Sequence, residues 1–316
     1  MSPQLGQDVM NTESTEAWSG YWDLMQASGR SELPSSIREA DHFFLEGTRD
    51  VGLDRPRVLD LASGNGALVK LLMPSIAKAE GIMVALDASF EAVDLGRREH
   101  QGIAVQSRLE ALPFSEGTFD LIVSQFGVEY AQSMIWPSIV SVLRSGACLC
   151  LLMHARTGVI FKDYSVNFEW VKLVEASSAF EIFRGLGAVD RSLTKEHFDY
   201  EAKQFETALK ALGSIVDQSS MVSEFLQYIS STLTRIRQNA GALDLDNLQA
   251  WIQVCHKQWR LFGIRIEAML NAALSEDEFL EVQEELSNLG IRIKRVGELR
   301  GSKNQIIGYK LIGLRR

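Results

Sequence analysis

The chain has 316 residues, 46% of them hydrophobic, and a formal net charge of −9, enough apolar material for a substantial core. Residues 1–155 carry 11 Lys and Arg against 20 Asp and Glu, residues 156–274 carry 13 against 14, and residues 275–316 carry 8 against 7, so a nucleic-acid partner, which needs a basic face, is not expected. No apolar run reaches the ~20 residues of a membrane span, the polar start lacks the pattern of a signal peptide, and Cys148, Cys150 and Cys255 with five scattered histidines give neither a disulfide framework nor a metal site; the expectation is a cytoplasmic, metal-free protein, monomer or homodimer.

In chain order, residues 1–15 read as a polar tail, followed by Trp18, Tyr21 and Trp22 close together. Such an aromatic segment is either a helix packed on the domain or a flap that folds over a ligand. Arg30 to Ser36 is turn-like, and Ile37 to Arg49 has helical spacing. Residues 1–39 are therefore taken as an N-terminal tail and aromatic helix.

The next stretch, Arg57 to Leu72, organises the rest. Val58 to Leu61 is a short apolar strand, Ala67 begins a helix, and Ala62-Ser63-Gly64-Asn65-Gly66 joins them. Two glycines in so short a turn allow a sharp bend and a ligand lying against the main chain. A dinucleotide fingerprint wants a third glycine where Val69 stands, and an apolar residue where Asp60 stands. A carboxylate at a strand end repels a pyrophosphate and suits a cationic ligand. These residues resemble motif I of the class I S-adenosyl-L-methionine (SAM) methyltransferases, whose cofactor carries a sulfonium and an ammonium group.

A second strand, Met83 to Leu86, ends at Asp87, which lies 21 residues beyond Gly66. That spacing brings a carboxylate to the tip of the neighbouring strand of a βαβ unit, where it can accept both hydroxyls of a ribose; the competing reading is a cap on the next helix. A third strand, Ile103 to Gln106, is followed by Leu112-Pro113-Phe114, a polar turn and a fourth strand from Phe119-Asp120. This arrangement is similar to the type 11 branch of the family, which includes quinone C-methyltransferases. In that branch an acidic residue commonly follows the third strand and meets the adenine amine. Arg108 occupies the place here, leaving Leu109 as an apolar and backbone contact and Glu110 as a substitute acceptor.

Strand four closes in Ser124-Gln125-Phe126-Gly127-Val128-Glu129-Tyr130. A helix (Ser133 to Leu143), a turn (Arg144-Ser145-Gly146), a fifth strand (Cys148 to Met153) and His154 follow. Cys148 and Cys150 share one face of that strand and are expected to be buried and inert. From about 158 to 274 apolar residues recur at helical spacing in Phe161 to Val174, Phe198 to Leu212, Met221 to Ile236 and Leu248 to Leu270, with many aromatics that suit a bundle core. Ser275 then caps a helix that Gly290 stops, and Ile291 to Val296 and Gln305 to Leu314 alternate as two strands around a Gly301 loop.

The resemblance implies an α/β fold: a Rossmann-like class I methyltransferase sheet, mostly parallel with an antiparallel last strand, carrying an α-helical insertion after strand five. Residues 40–156 and 275–316 would form the SAM-binding core and 157–274 a helical lid. The implied function is SAM-dependent methyl transfer to an oxygen, nitrogen or carbon nucleophile of a small or medium-sized organic molecule. Asp60, Ala62, Gly64, Gly66, Asp87, Ala88, Leu109, Gln125 and Trp22 would hold the cofactor, with Asp60 serving the methionine ammonium and Asp87 the ribose. His154, Tyr130 and Glu129 are the catalytic candidates, His154 as general base because imidazole titrates near neutrality. Two other readings stay open: a protein or carrier-bound acceptor docking on the helices, and a SAM-binding subunit without catalysis.

Overall fold

The computed structural model describes residues 14–22, 38–49, 54–99, 102–131, 134–188, 195–213, 221–238 and 245–316. The polar stretch 1–13 and the turn-like 30–36 lie outside them. Contacts divide the chain into two compact units, residues 1–162 with 268–316 and residues 163–267.

The first unit opens with helix α1 (residues 14–22) and α2 (Arg38–Arg49). Then β1 (Arg57–Leu61), α3 (Ala67–Lys78), β2 (Ile82–Asp87), α4 (Phe90–Glu99) and β3 (Ile103–Gln106) alternate as the apolar runs require. They are followed by β4 (Phe119–Gln125), α5 (Trp136–Val142) and β5 (Leu143–Met153). The unit is completed by α11 (Glu276–Asn288), β6 (Ile291–Arg300) and β7 (Ile306–Arg315).

The seven strands order as β3-β2-β1-β4-β5-β7-β6. Strands β1 to β5 pair in parallel, while β7 runs antiparallel to both β5 and β6. Successive side chains on a strand point to opposite faces. Leu59, Leu61, Leu149 and Leu151 therefore join the core beneath α5 and α11, whereas Val58, Cys148, Cys150 and Leu152 join the core beneath α2 and α3. Both cysteines are buried on one face, and burial pushes the Cys150 thiol well up. The strand order reverses between β1 and β4, and the carboxyl ends of those two strands open the crevice where ligands of such sheets bind.

Arg144-Ser145-Gly146 reads as a turn in the sequence but is a bulge inside β5. Leu143 faces Phe119 and Cys148 faces Leu121, so the intervening residues loop out of the ladder. The buried carboxylate of Asp120 holds this bulge: Arg144 Nη1 lies 2.6 Å from one oxygen, and the Arg57 main-chain N–H donates to the other at 2.9 Å. At the far end, Ser275 and Glu278 cap α11 reciprocally in a capping box, and Gly290, at φ +90°, turns the chain into β6.

The chain leaves the sheet after β5 and returns before α11, and Ala155 pairs with Leu274 in a short parallel bridge. Exit and return are thus side by side. The Leu274 N–H donates to the His154 carbonyl at 2.9 Å.

Between them lie α6 (Val159–Glu175), α7 (Ser178–Ala188), α8 (Lys195–Gly213), α9 (Met221–Gln238) and α10 (Leu245–Ala272). The second unit takes in most of these five helices. Helix α7 was not expected, because Gly185 and Gly187 read as joint residues; packing of Phe183 and Leu186, both buried, overrides that weak local preference. Phe180, Trp259 and Phe262 on one side and Phe183, Phe205 and Trp251 on the other form two groups of ring contacts in this unit, joined by His256, which meets both Phe180 and Phe183, and Trp259 Nε1 donates to Glu175 at 3.0 Å. Cys255 is buried with its thiol pushed up to about 12, which leaves it unreactive.

Candidate active site

Beyond β1 the backbone turns through three left-handed residues: Ala62 at φ +52°, Gly64 at φ +52° and Gly66 at φ +77°. Phe126, just past β4, also sits at φ +54°. Two non-glycine residues in this region, at the tips of adjacent strands, cost roughly 1–3 kcal/mol each. Such strain is retained where it shapes a site.

Close approach explains two of the glycines. A Cβ on Gly127 would meet the Ala62 Cβ at 2.5 Å, and one on Gly64 would meet the Trp22 ring at 2.5 Å. The indole of Trp22 therefore lies directly against the glycine turn. Helix α1 reaches this place with Ser19 Oγ donating to Ser89 Oγ at 3.1 Å and with Trp18 edge-on to Tyr130, ring centres 5.4 Å apart.

Asp87 is built into the turn rather than free at the strand tip. Its Oδ2 accepts from the Gly64 N–H at 2.8 Å, and its Oδ1 accepts from the Ser89 N–H at 2.9 Å. The cap of α4 is Ser89, whose Oγ accepts from the Ala92 N–H at 3.2 Å, so capping does not explain Asp87. Burial raises the Asp87 carboxyl above its ordinary range, and the hydrogen bonds from Ser89, Gly64 and Ala88 oppose that rise. Asp60, on β1, is 1% exposed. Burial, and then the nearby Asp87 charge, hold its carboxyl well above the ordinary range, and its Oδ2 is buried without a hydrogen-bond partner. Two carboxylates thus face one turn with little positive charge to balance them.

The cleft at these strand ends is lined by helix α1 (Ser14, Thr15, Trp18, Trp22), the β1 and β2 tips (Ala62, Gly64, Asp87, Ala88, Ser89), the segment Ser107 to Glu110, and Phe126, Gly127, Tyr130 and Ala131. It brings together Trp22, Ala62, Gly64, Asp87, Ala88, Leu109 and Tyr130 of the nominated residues. Asp60, Gly66, Gln125, Glu129 and His154 are outside its lining. Sequence reasoning named Trp18 within the aromatic segment but passed over Ser89, Ser107 and Phe126 as lining residues; the Ser before a helical run was the one available signal for Ser89.

Glu129 and His154 make a pair behind the cleft wall. Glu129 Oε1 lies 2.8 Å from both the main-chain nitrogen and Nδ1 of His154. The Glu129 side chain is fully buried and that of His154 is 7% exposed. Nδ1 is thus the imidazole nitrogen that faces Glu129, whose second oxygen, Oε2, is buried without a hydrogen-bond partner. Phe126 stacks on the imidazole at 4.4 Å between ring centres, and Tyr130 meets it edge-on at 5.9 Å. Among the described residues no group of acidic, cysteine or histidine side chains forms a metal site, and no helix is long and apolar enough to cross a membrane.

Residues 58–146 match a family model described as a methyltransferase domain. The chain is 32% identical over 106 residues to a ubiquinone/menaquinone biosynthesis C-methyltransferase, UbiE, of Blochmanniella floridana, covering 30% of this chain and 41% of that protein. It is 29% identical over 142 residues to the UbiE of Xylella fastidiosa (strain 9a5c), covering 42% of this chain and 51% of that one. The chain thus spans about half the length of the curated relatives it matches. A crystal structure of a SAM-dependent methyltransferase from Aquifex aeolicus aligns over 90% of this chain and 95% of its own, with 13% identity and a TM-score of 0.44. Residues 58–146 thus match a methyltransferase domain, on a sheet of order β3-β2-β1-β4-β5-β7-β6 with a glycine turn after β1, and part of the chain is similar to the quinone C-methyltransferases.

Proposed function

We propose that this protein transfers the methyl group of SAM to a nucleophilic atom of a small organic molecule, and that the acceptor is a phenolic or quinol ring of the kind its relatives' names indicate. The observation that carries this reading is the turn at Asp60, Gly64 and Asp87. A cationic ligand relieves the mutual repulsion of two buried carboxylates, and the Gly64 surface leaves no room for a Cβ. The residues present fit the cofactor: Asp60 serves the ammonium, the Ala62–Gly66 turn with Trp22 the methionine portion, Asp87 the ribose, and Ala88 and Leu109 the base.

When bound, SAM supplies a methyl group already activated by its sulfonium charge, so alignment and exclusion of water carry much of the rate. The chain's own contribution to the acceptor side is the Glu129–His154 pair. With Nδ1 held by Glu129, Nε2 takes the proton of an acidic hydroxyl, which raises electron density on the ring being methylated. Tyr130 orients the acceptor beside it. The helices after β5 contribute to acceptor recognition, a role supported by their exit and return at the strand end that carries His154.

Calorimetric titration with SAM tests the cofactor reading. Asp87→Ala should weaken binding by roughly 1–3 kcal/mol, and an unchanged dissociation constant in a folded variant removes the ribose assignment. A screen by homocysteine release should then favour quinols and phenols over amines. Turnover of amines alone overturns the acceptor class.

A further inference from the structure

One ring stands between the cleft and the Glu129–His154 pair. Phe126 and Tyr130 are among the residues that line the cleft, and His154 is not. Phe126 stacks on the imidazole with the ring centres 4.4 Å apart and the planes at 30°, so one face of His154 is covered. Glu129 holds the Nδ1 edge at 2.8 Å, and Tyr130 stands edge-on to the imidazole at 86°. The edge that carries Nε2 is what this wall leaves for an acceptor.

Phe126 is held here against its own backbone preference. It sits at φ +54°, a region that a phenylalanine rarely adopts and a glycine enters freely. Its N–H donates to the Leu152 carbonyl at 2.7 Å, which fixes that turn of the chain. A Cβ on Gly308 would stand 3.0 Å from Phe126 Cε1, so the rim of the ring rests where β7 has no side chain. Glycine at position 126 would remove the strain, and the strain is therefore kept for the sake of the ring.

The lone pair of an imidazole nitrogen lies in the plane of its ring, and a donor prefers to approach along it. A hydroxyl that meets Nε2 thus brings the atoms bonded to it close to that plane, alongside the Phe126 ring. A flat ring runs parallel to the phenyl in the offset arrangement that aromatic pairs favour, whereas carbon groups standing out of the plane collide with it. We infer that Phe126 is a positioning and specificity-determining residue: its ring sets the imidazole against Glu129 and admits to Nε2 a hydroxyl on a flat ring while excluding one flanked by out-of-plane bulk. This rests on the reading of His154 as the base for the acceptor.

Two measurements on the full chain test it. The first needs no turnover: carbethoxylation by diethylpyrocarbonate, read by peptide mass spectrometry, with His42 as internal reference because its side chain is 71% exposed. His154 should label far more slowly than His42 in the wild type, faster in Phe126→Ala, and as slowly as in the wild type in Phe126→Tyr, which restores the ring. The second is homocysteine release with hydroquinone and with tert-butylhydroquinone, whose methyl groups stand out of the ring plane. The wild type should prefer hydroquinone by about tenfold or more in kcat/KM, the scale on which an apolar wall discriminates by shape. Phe126→Ala should bring the two within about threefold, and Phe126→Tyr should keep the wild-type preference. Phe126→Leu, which retains bulk if the alanine variant fails to fold by circular dichroism, should fall between. An unchanged label or an unchanged preference in a folded Phe126→Ala or Phe126→Leu overturns this assignment alone. A wild type that methylates neither quinol overturns the acceptor reading and this inference with it.

Discussion

Asp60 carries a carboxyl group into a place where burial disfavours its charged form. Burial first, and the Asp87 charge second, hold it well above the ordinary range. The sign of its effect on stability follows. Below the ordinary carboxylate range Asp60 is protonated in both folded and unfolded chains and costs nothing; as pH rises through its raised folded value the folded chain must ionise it in place, and stability falls. Asp60→Asn should therefore melt at a higher temperature than the wild type at pH 7 in the absence of ligand, and the gap should close on acidification. The same variant should bind SAM more weakly, because the anion that meets the ammonium is gone. A variant that melts lower at neutral pH, or that binds SAM as tightly as the wild type, contradicts this account. Asp60 was legible in the sequence as an acid at a strand end, whereas its missing partner and its coupling to Asp87 were not, since both depend on the packing of β1 against β2.

Helix α1 shows the next scale. Three aromatics in five residues were a visible signal, but two roles were open, as a packing face or as a cover. The structure shows the packing face, and the surface on which Trp22 packs is the glycine turn itself. Gly64 in the left-handed region explains why an indole can lie there, and the edge-on contact of Trp18 with Tyr130 ties the helix to the β4 side of the cleft. Trp22→Ala should lower SAM affinity by about 1 kcal/mol, the scale of a lost aromatic contact, with little change in melting temperature. Tryptophan fluorescence should respond to SAM in the wild type and lose most of that response in the variant. Equal affinity and an equal signal in the two proteins would take Trp22 out of the site. Helix α7 is the opposite case: its glycines hid it in the sequence, and only the burial of Phe183 and Leu186 accounts for it.

For the whole molecule the decisive feature is the joint at Ala155 and Leu274. Because the chain leaves and returns side by side, a short linker should span the gap and let β5, α11, β6 and β7 keep their pairings. Replacing residues 163–267 by a short Gly/Ser linker should leave a protein that binds SAM and has lost methyl transfer. Retention of full activity would show that the helices have no part in acceptor recognition, and loss of SAM binding with unfolding would make them structural support. Circular dichroism, calorimetry and homocysteine release on one preparation separate these outcomes.

By itself the sequence determined the order of strands and helices in the sheet unit, the capped α11 and the glycine turn between two acids. These are local matters: alternation and helical period follow from which face is buried, and a φ above zero from the absence of a Cβ. Tertiary structure alone decided that Arg144 to Gly146 bulge within β5, since that depends on Asp120 holding Arg144 and the Arg57 main chain. It decided likewise that Glu129, not solvent, faces His154 Nδ1. Twenty-five residues separate that pair in the chain, and their 2.8 Å contact exists because β4 and β5 end together at the same edge of the sheet.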